Sequence, residues 1–351
     1  MLPEWVYQEC PGVSTVHRDA ALARQAELTK PTGALGRLEH LAIDLAGLQQ
    51  ADRPRAERVP IIVFAGDHGI VAQGVSAYPQ EVTIAMMSNF AAGGAAISVL
   101  ARELGLSLEI VDAGTLAELP IPGVATDKPR RGSRDFSKEA ALEFGEVAFA
   151  FDCGKRAIAR AASTEPDLLI LGDMGIGNTT TSAAVAAALL GMGAEQVAGN
   201  GTGIDADSRA RKAHLIDAAL ARHDLTRPGT SAERILCAVG GLETSAITGA
   251  IIAAAQRRLP LLIDGFIVSV AALTAVHLNP SCRPFLLSSH QSAEQGHRLV
   301  LEALNVQPLF NLDLRLGEGS GAALALPILR LACALHNGMA TFAQASVPNR
   351  S

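Results

Sequence analysis

A single carboxylate near the end of the chain, Glu318, has a setting in which a side chain could act as a general base. It lies in the glycine-rich segment Arg315-Leu-Gly-Glu-Gly-Ser-Gly-Ala322, between a short alternating segment and an apolar, helix-like run. Glycines let a backbone approach a ligand closely, and the free N–H groups at a helix start attract anions. Burial against leucines would raise the pKa of this carboxyl toward the range useful for proton abstraction. The alternative is an ordinary acidic residue in the first turn of a helix, and spacing alone leaves both open.

Acidic or histidine side chains follow the apolar runs that are predicted to be buried strands: Asp67, Asp112, Asp173, Asp264 and His290. Ligands of parallel sheets bind beyond the carboxyl ends of the strands, so these side chains are expected at one edge. A metal site would use Asp67, His68, Asp173 and His290, whereas strand-end aspartates can also cap helices or bond turn N–H groups. Because no H-E-x-x-H or clustered ligand spacing occurs, the sequence predicts neither a metal nor another cofactor.

Several glycine-rich segments suit phosphate because their N–H groups would be free. The clearest are Gly172-Asp-Met-Gly175, Ala198-Gly-Asn-Gly-Thr-Gly203 and Val239-Gly-Gly241. The chain has no G-x-x-x-x-G-K-[ST] or G-x-S-x-G segment, and the second loop is not G-x-G-x-x-G. A nucleoside triphosphatase, a serine hydrolase and a dinucleotide site are therefore poorly supported. For any one of these segments, a simple tight turn remains the alternative.

The elements that must position these residues are apolar strands alternating with helices, a pattern typical of a parallel α/β sheet. Continuous apolar runs suit strands buried on both faces, and they occur at 59–65, 107–111, 167–171, 260–264 and 284–290. Helices are predicted at 14–29, from 37, at 79–90, from the segment 91–94 to 104, and at 138–162 (interrupted or bent near Gly154). Further helices are predicted up to 190, from about 207, at 239–257, up to 277 and at 292–304. The basic stretch 115–137 is predicted to be a surface loop, and Lys30 is either a solvated charge or an anion ligand.

The composition and net charge indicate which partners and which cellular compartment to expect. Apolar residues make up 49% of the 351 residues and charged residues 18%, and the net charge is −6, so nucleic acid is not an expected partner. The five cysteines are scattered without a C-x-x-C pair, which favours reduced thiols in the cytoplasm. The first residues do not resemble a secretory signal. No apolar run reaches the roughly 18 residues of a membrane span, so we expect no membrane partner.

Taken together, seven motifs resemble the nicotinate-nucleotide–dimethylbenzimidazole phosphoribosyltransferase family of cobalamin lower-ligand assembly. Each motif alone is modest, but all of them occur in the family's order and span about residues 30 to 330. The motifs are Lys30-Pro-x-Gly-x-Leu-Gly-Arg-Leu-Glu39, Asp67-His-Gly69, Gly175-x-x-Asn-Thr-Thr180, Val239-Gly-Gly241, Leu262-Ile-Asp-Gly-Phe266, Ser289-His-x-Ser-Ala-Glu294 and Arg315-Leu-Gly-Glu-Gly-Ser-Gly-Ala-Ala-Leu-Ala325.

The resemblance implies a fold and a reaction. The family transfers phosphoribose from nicotinate mononucleotide to dimethylbenzimidazole, giving α-ribazole phosphate and nicotinate, and needs no metal for the chemistry. Its fold is a Rossmann-like, doubly wound parallel sheet with a smaller helical domain from the chain ends, assembled as a homodimer. On this chain the helical domain would comprise residues 1–58 and 325–351, and the catalytic domain residues 59–324.

The resemblance also implies roles for single residues. Glu318 matches the catalytic base, and Tyr78 and Met86 match the wall of the base pocket, where Leu314 and Leu316 also suit the ring. Residues that match or suit the nucleotide and its phosphate are Asp173, Gly175, Gly201, Gly203, Lys212, Gly240, Gly241, Asp264 and Ser292.

Three positions depart from the family's pattern. The family often has Glu at the position of Asp173, and some members have Gln at the position of Met86. Asp112-Ala-Gly-Thr115 replaces a more usual Asp-Val-Gly. These differences concern substrate preference more than reaction type, and the preferred base stays open. Two other hypotheses are an inactive nucleotide-binding regulator of the same fold and a metal-dependent hydrolase that uses Asp67, His68 and His290.

Overall fold

The fold is built on a six-stranded, fully parallel sheet with the order β3-β2-β1-β4-β5-β6. The structure is a computed structural model that describes residues 1–201, 203, 205–227 and 229–348. The strands are β1 Ile61–Gly66, β2 Leu108–Gly114, β3 Ala125–Thr126, β4 Leu169–Met174, β5 Leu261–Ile263 and β6 Leu286–Ser288. This order confirms the predicted Rossmann-like α/β fold. The edge strand β3 was missed because its two residues lie within the predicted loop 115–137.

Side chains of each strand alternate between two apolar layers. Ile62 and Phe64 of β1 face one core, whereas Ile61 and Val63 face the other. Helices cover both faces of the sheet, so each strand is buried on both sides, which explains the continuous apolar runs. The α-helices are α1 Thr15–Glu27, α2 Arg37–Gln49, α3 Glu81–Ala92, α4 Ala96–Leu104, α5 Phe144–Ala162, α6 Asn178–Leu190, α7 Ala194–Val197, α8 Ala206–Arg222, α9 Ala232–Val239, α10 Leu242–Gln256, α11 Phe266–Leu278, α12 His297–Leu304, α13 Ser320–Gly338 and α14 Phe342–Ala345.

Several predicted helix limits were wrong, and Gly154 shows why. The helix predicted at 138–162 begins only at Phe144 and continues through Gly154 without a break. A Cβ on Gly154 would collide with the backbone of Ala246 in α10, so this glycine serves close helix packing rather than a bend. Helix α9 was not predicted, and the helix expected from 292 starts at His297.

The two ends of the chain make different contacts. Helices α1, α2 and α13 pack together, but α2 and α13 share their core with β1 through Leu45 and Leu326. The first residues lie elsewhere: Trp5 Nε1 donates to Asp152 Oδ1 of α5 over 2.8 Å, and Asn279 Nδ2 donates to Val6 O over 2.9 Å. Trp5 and Val6 thus contact α5 and the residue that follows α11. The division at 58/59 and 324/325 stays a prediction, and residues 349–351 lie outside the described residues.

Lys30 is neither solvated nor free for a ligand, contrary to both sequence hypotheses. It is buried, and its Nζ lies 2.8 Å from Glu39 Oε1 and 3.1 Å from Gln25 O. Glu39 also accepts from the N–H of Leu35 over 3.0 Å. The ion pair between Lys30 and Glu39 closes the turn between α1 and α2. It therefore explains the first and last residues of the motif that runs from Lys30 to Glu39.

The stretch Glu81–Leu104 is long and apolar enough to cross a membrane by length and composition, with a mean hydropathy of 1.6. This differs from the expectation that no such stretch exists. In the structure it consists of two helices of 12 and 9 residues, separated by Gly93, whose φ is +86°. Each is shorter than the roughly 20 residues that a spanning helix requires.

The basic loop 115–137 is held by ion pairs. Lys128 Nζ lies 2.7 Å from Asp112 Oδ2, and Arg134 lies 2.8 Å from both Glu143 and Glu146 near the start of α5. The positive charges of this loop are thus matched by carboxylates of neighbouring elements.

Candidate active site

A cleft of about 440 Å³ opens at the carboxyl ends of β4, β5 and β6, and it is closed by α3 and by the turn before α13. The strand order reverses between β1 and β4, so the cleft begins beside the switch point at which such sheets bind ligands. Eight of the predicted site residues line the cleft: Tyr78, Met86, Asp173, Gly175, Gly201, Ser292, Leu316 and Glu318.

Glu318 is presented by a turn of unusual backbone conformation. Gly317, Glu318 and Gly319 have φ values of +86°, +66° and +84°, a left-handed run that glycine tolerates and glutamate disfavours. The N–H of Glu318 donates to the carbonyl oxygen of Asp173 over 3.2 Å. In β4, a Cβ on Gly172 would collide with the carbonyl of Glu318. The glycines on both sides thus let the turn lie directly against the strand.

The Glu318 carboxylate is almost fully buried, with 5% of the residue exposed. Its Oε2 accepts from the N–H of Ile97 over 3.3 Å, at the N-terminus of α4. Burial raises the pKa of Glu318, the nearby charge of Asp264 raises it further, and the Ile97 hydrogen bond opposes both. A carboxylate with a raised pKa accepts protons more readily, as a general base requires.

Asp264 lies beneath this turn rather than in the cleft wall. Its Oδ1 accepts from Ala322 N over 2.9 Å and its Oδ2 accepts from Gly319 N over 3.2 Å. It is 1% exposed and does not line the cleft. Its predicted contact with the nucleotide remains untested, but the contacts that it makes here are with the start of α13.

Asp173 faces the cleft from the end of β4 and is surrounded by other carboxylates. Burial raises its pKa well above the usual value, and Asp264, Glu243 and Glu318 add to this, against a hydrogen bond from Asn178. Asn178 Nδ2 donates to Asp173 Oδ2 over 2.9 Å. A proton on Asp173 would reduce the repulsion between the carboxylates of the cleft.

One wall of the cleft is apolar. It is formed by side chains of α3, the loop before it, the end of β4 and the segment before Glu318: Tyr78, Val82, Met86, Met174, Ile176 and Leu316. Such a wall suits a flat heteroaromatic ring. Leu314, which was expected beside Leu316, does not line the cleft.

The other end is polar and continues into a second cleft of about 660 Å³. Glu294 and Arg315 line both, and Gly203 lines only the second. Lys212 lies behind them, where its Nζ donates to Thr179 Oγ1 over 3.0 Å. Burial lowers the pKa of Lys212 to about 8. This end therefore combines two cations with glycine backbone, a combination suited to an anion.

A model of the family described as "Phosphoribosyltransferase" matches residues 10–347. This chain belongs to the phosphoribosyltransferase family. It is 75% identical over 350 residues to the nicotinate-nucleotide–dimethylbenzimidazole phosphoribosyltransferase of Bradyrhizobium diazoefficiens, covering 100% of this chain and 99% of the relative. It is 53% identical to the enzyme of the same name from Pseudomonas aeruginosa, covering 99% of each. A solved structure of that enzyme from Thermus thermophilus aligns with a TM-score of 0.90 and 43% identity, over 96% of this chain and 100% of the other.

Two predicted phosphate residues of this phosphoribosyltransferase, Gly240 and Gly241, lie away from both clefts. A Cβ on Gly241 would lie 2.5 Å from His68 Cε1, and one on Gly240 would strike Leu236. Gly241 lets α10 start against the buried His68, and Gly240 lies directly against Leu236 of α9, so close packing explains both glycines. Thr202, within the predicted loop 198–203, lies outside the described residues.

The strand-end histidines of the phosphoribosyltransferase have other partners than a metal. His68 is fully buried, with Nε2 3.1 Å from Glu243 Oε1 and Nδ1 3.0 Å from Thr181 Oγ1. His290 stacks on Phe310 with ring centroids 5.9 Å apart. Within the described part of the chain, no group of three or more His, Cys, Asp or Glu residues could hold a metal ion.

Among the residues that sequence reasoning did not single out are Asn178, Glu294 and Arg315, and also Phe310, which stacks on His290. The first three lie inside the motifs quoted for the resemblance, and they line the cleft. Their position in those motifs was the available signal. Phe310 had none, because its contact with His290 joins segments that are distant in the sequence.

Proposed function

We propose that this phosphoribosyltransferase transfers phosphoribose from nicotinate mononucleotide to dimethylbenzimidazole, for the nucleotide loop of cobalamin. The products would be α-ribazole phosphate and nicotinate. The observation that carries the proposal is the position of Glu318, a buried carboxylate of raised pKa in a cleft with an apolar wall and a polar end. The full-length similarity to enzymes named for this reaction supports it.

The chemistry needs one base at one place. One ring nitrogen of the benzimidazole attacks the anomeric carbon, and the bond to the nicotinate nitrogen breaks with its electron pair returning to the pyridine ring. The other nitrogen then loses its proton to Glu318. A positioned base typically contributes about 10²–10⁴-fold to the rate. The positive charge that develops at the anomeric carbon is stabilised by the negative potential of Glu318 and its acidic neighbours.

We assign the ends of the cleft to the two substrates. Tyr78, Met86 and Leu316 form the wall against which the benzimidazole stacks. The nucleotide occupies the polar end, bordered by Asp173, Gly175, Gly201 and Ser292, and its phosphate lies toward Gly203, Lys212 and Arg315. Packing roles are proposed for Gly240 and Gly241, and a supporting role for Asp264.

We further propose that the enzyme is a cytoplasmic homodimer without a nucleic acid or membrane partner. Apolar side chains that line the cleft are exposed, namely Tyr78 at 54% and Leu316 at 60%, and a second copy would cover them. All five cysteines are free and buried, as suits a reducing compartment. The mass in solution, measured by light scattering, tests the dimer: a monomer at micromolar concentration would contradict it.

The decisive assay follows the products by mass spectrometry. Purified protein is incubated with nicotinate mononucleotide and dimethylbenzimidazole together, and with each alone. We expect α-ribazole phosphate and nicotinate in equal amounts, only when both substrates are present. Binding of the nucleotide without product, across a panel of benzimidazoles and purines, would instead favour the inactive regulator.

A further inference from the structure

The start of α13 lacks a capping side chain of its own. The residue at its N-cap is Gly319, which provides no side-chain acceptor. The first N–H groups of a helix have no partner within the helix, and leaving them unpaired when buried costs stability. Gly319, Ser320 and Ala322 are all buried. An acceptor must therefore come from another part of the chain.

Asp264 is that acceptor. It follows β5 directly, and its two carboxylate oxygens accept from Gly319 N over 3.2 Å and Ala322 N over 2.9 Å. These are the N–H groups of the N-cap and of the third helical residue, and Ala322 is the position that a capping side chain normally serves. A carboxylate is also favoured at a helix N-terminus by the helix dipole. Asp264 therefore substitutes for the missing cap.

The same contact fixes the conformation of Glu318. Glu318 has a φ of +66°, which a side chain with a Cβ disfavours. Two hydrogen bonds hold the turn that contains Glu318. The N–H of Glu318 donates to Asp173 O of β4 over 3.2 Å, and the N–H of Gly319 donates to Asp264. If the bond to Asp264 is lost, the turn can relax toward a right-handed conformation and move the Glu318 carboxylate away.

We propose that Asp264 is a positioning residue, which caps α13 from the end of β5 and thereby holds Glu318 in the geometry needed to remove the proton from the incoming base. The inference rests on the proposed function for its kinetic part only. The competing role is direct contact with the nucleotide, as the family resemblance implied. Loss of a positioning contact would lower kcat, whereas loss of a contact with the nucleotide would raise KM for nicotinate mononucleotide.

The proposal also predicts a change in the pH dependence of kcat, because the charge of Asp264 acts on Glu318. The charged or titratable groups around Glu318 are Asp173 on β4, Asp264 after β5, His290 after β6 and Arg315 in its own loop. The N-terminus of α4 faces it from the fourth side. The negative charge of Asp264 raises the pKa of Glu318. Removing that charge should lower this pKa, so the acid limb of kcat should move to lower pH.

The test compares Asp264→Asn with the matched control Asp67→Asn. Asp67 is an equally buried aspartate after β1, bonded to Leu116 N over 2.8 Å and outside the cleft. A displaced catalytic group can cost about 100-fold, so we expect kcat of Asp264→Asn to fall by roughly 10- to 100-fold. Since substrate binding is untouched, KM for nicotinate mononucleotide should change by less than about threefold. The control should retain kcat.

Hydrogen exchange of the full-length protein provides a readout that does not depend on turnover. In Asp264→Asn the amides of Gly319 and Ala322 should exchange faster than in the wild type, with no such change in Asp67→Asn. If Asp264→Asn does not fold, Asp264→Glu is used instead, because it keeps the negative charge but displaces the acceptor oxygens. Asp264→Glu should lower kcat and leave KM unchanged. A rise in KM with kcat retained, or unchanged protection of both amides, would overturn the proposal. Wild-type protein without any turnover would overturn the proposed function instead, while the exchange data still decide the capping role.

Discussion

The main-chain N–H of Glu318 donates to the carbonyl oxygen of Asp173, 3.2 Å away. This bond joins the turn before α13 to the end of β4, at the switch point of the sheet. It places Asp173 and Glu318, two of the carboxylates that line the cleft, on adjoining segments, and burial raises the pKa of both. The geometry of this contact depends on glycines on both sides.

Gly172 should be intolerant of any side chain. Gly172→Ala would drive a Cβ into the carbonyl of Glu318, so the turn must move away from β4. We expect kcat to fall by about 100-fold, since a displacement near 1 Å can cost that much. Steady-state kinetics on the folded variant test this. Gly145→Ala is the control: it lies in α5 with open space around it, and alanine is favoured there by about 0.5–1 kcal/mol. Wild-type kcat in Gly172→Ala would show that the turn does not need this close approach.

Asp173 should destabilise the empty enzyme at neutral and alkaline pH. Its pKa is raised in the folded state, so the folded protein binds more protons than the unfolded chain above the ordinary carboxyl pKa of about 4. Stability contributed by the protonated form is then lost as pH rises through the folded pKa. Asp173→Asn removes this loss, so Tm should rise more at pH 8 than at pH 5. Calorimetry at the two pH values measures this, with the half-exposed Asp44 changed to Asn as a surface control. An equal shift in Tm at both pH values would contradict the assignment.

Lys212 should make nucleotide binding depend on pH. Its pKa is lowered to about 8 by burial, so it is charged at neutral pH and loses its charge above about pH 8. We expect KM for nicotinate mononucleotide to rise as pH passes this value, because a phosphate would lose its cation. In Lys212→Gln, KM should be high at all pH values and its pH dependence should flatten. Arg211→Gln, on the exposed side of the same helix, should behave like the wild type. A wild-type pH profile in Lys212→Gln would remove the lysine from the phosphate end.

Met86 should determine binding of the base without affecting the nucleotide. It lines the apolar wall, and a lost apolar contact of this kind is worth about 1–3 kcal/mol. Met86→Ala should therefore raise KM for dimethylbenzimidazole by roughly 10-fold, while KM for the nucleotide stays the same. Val99→Ala, at an exposed apolar position of α4, is the control. Equal changes in both KM values would indicate a general distortion of the cleft.

The sequence predicted the sheet because its strands are apolar on both faces, which short windows reveal. The strand expected at 167–171 is β4, Leu169–Met174. Asp173, near the carboxyl end of this strand, lies in the cleft, where ligands of such sheets bind. The resemblance, rather than periodicity, supplied the identity of Glu318 as the base. These successes rest on local pattern and on motif order.

What the sequence did not predict were contacts between distant segments. Asp264 lies 55 residues before Gly319, so its capping contact is invisible to any local pattern. Lys30 was predicted to be a solvated charge or an anion ligand, but in the structure it forms a buried ion pair with Glu39. Gly154 was expected to mark a bend because the neighbouring helix against which it packs was not known. Each error came from tertiary packing that decided between locally equivalent options.

The central claim is that Glu318 removes the proton from the incoming base, and Glu318→Gln tests it most directly. Glutamine keeps the shape of the side chain but cannot accept that proton. Initial rates of α-ribazole phosphate formation should fall by about 10²–10⁴-fold, while calorimetric titration should give an unchanged Kd for nicotinate mononucleotide. Glu39→Gln, in the first turn of α2 and outside the cleft, controls for the loss of a buried carboxylate. Product formation at the wild-type rate by Glu318→Gln would show that another group is the base.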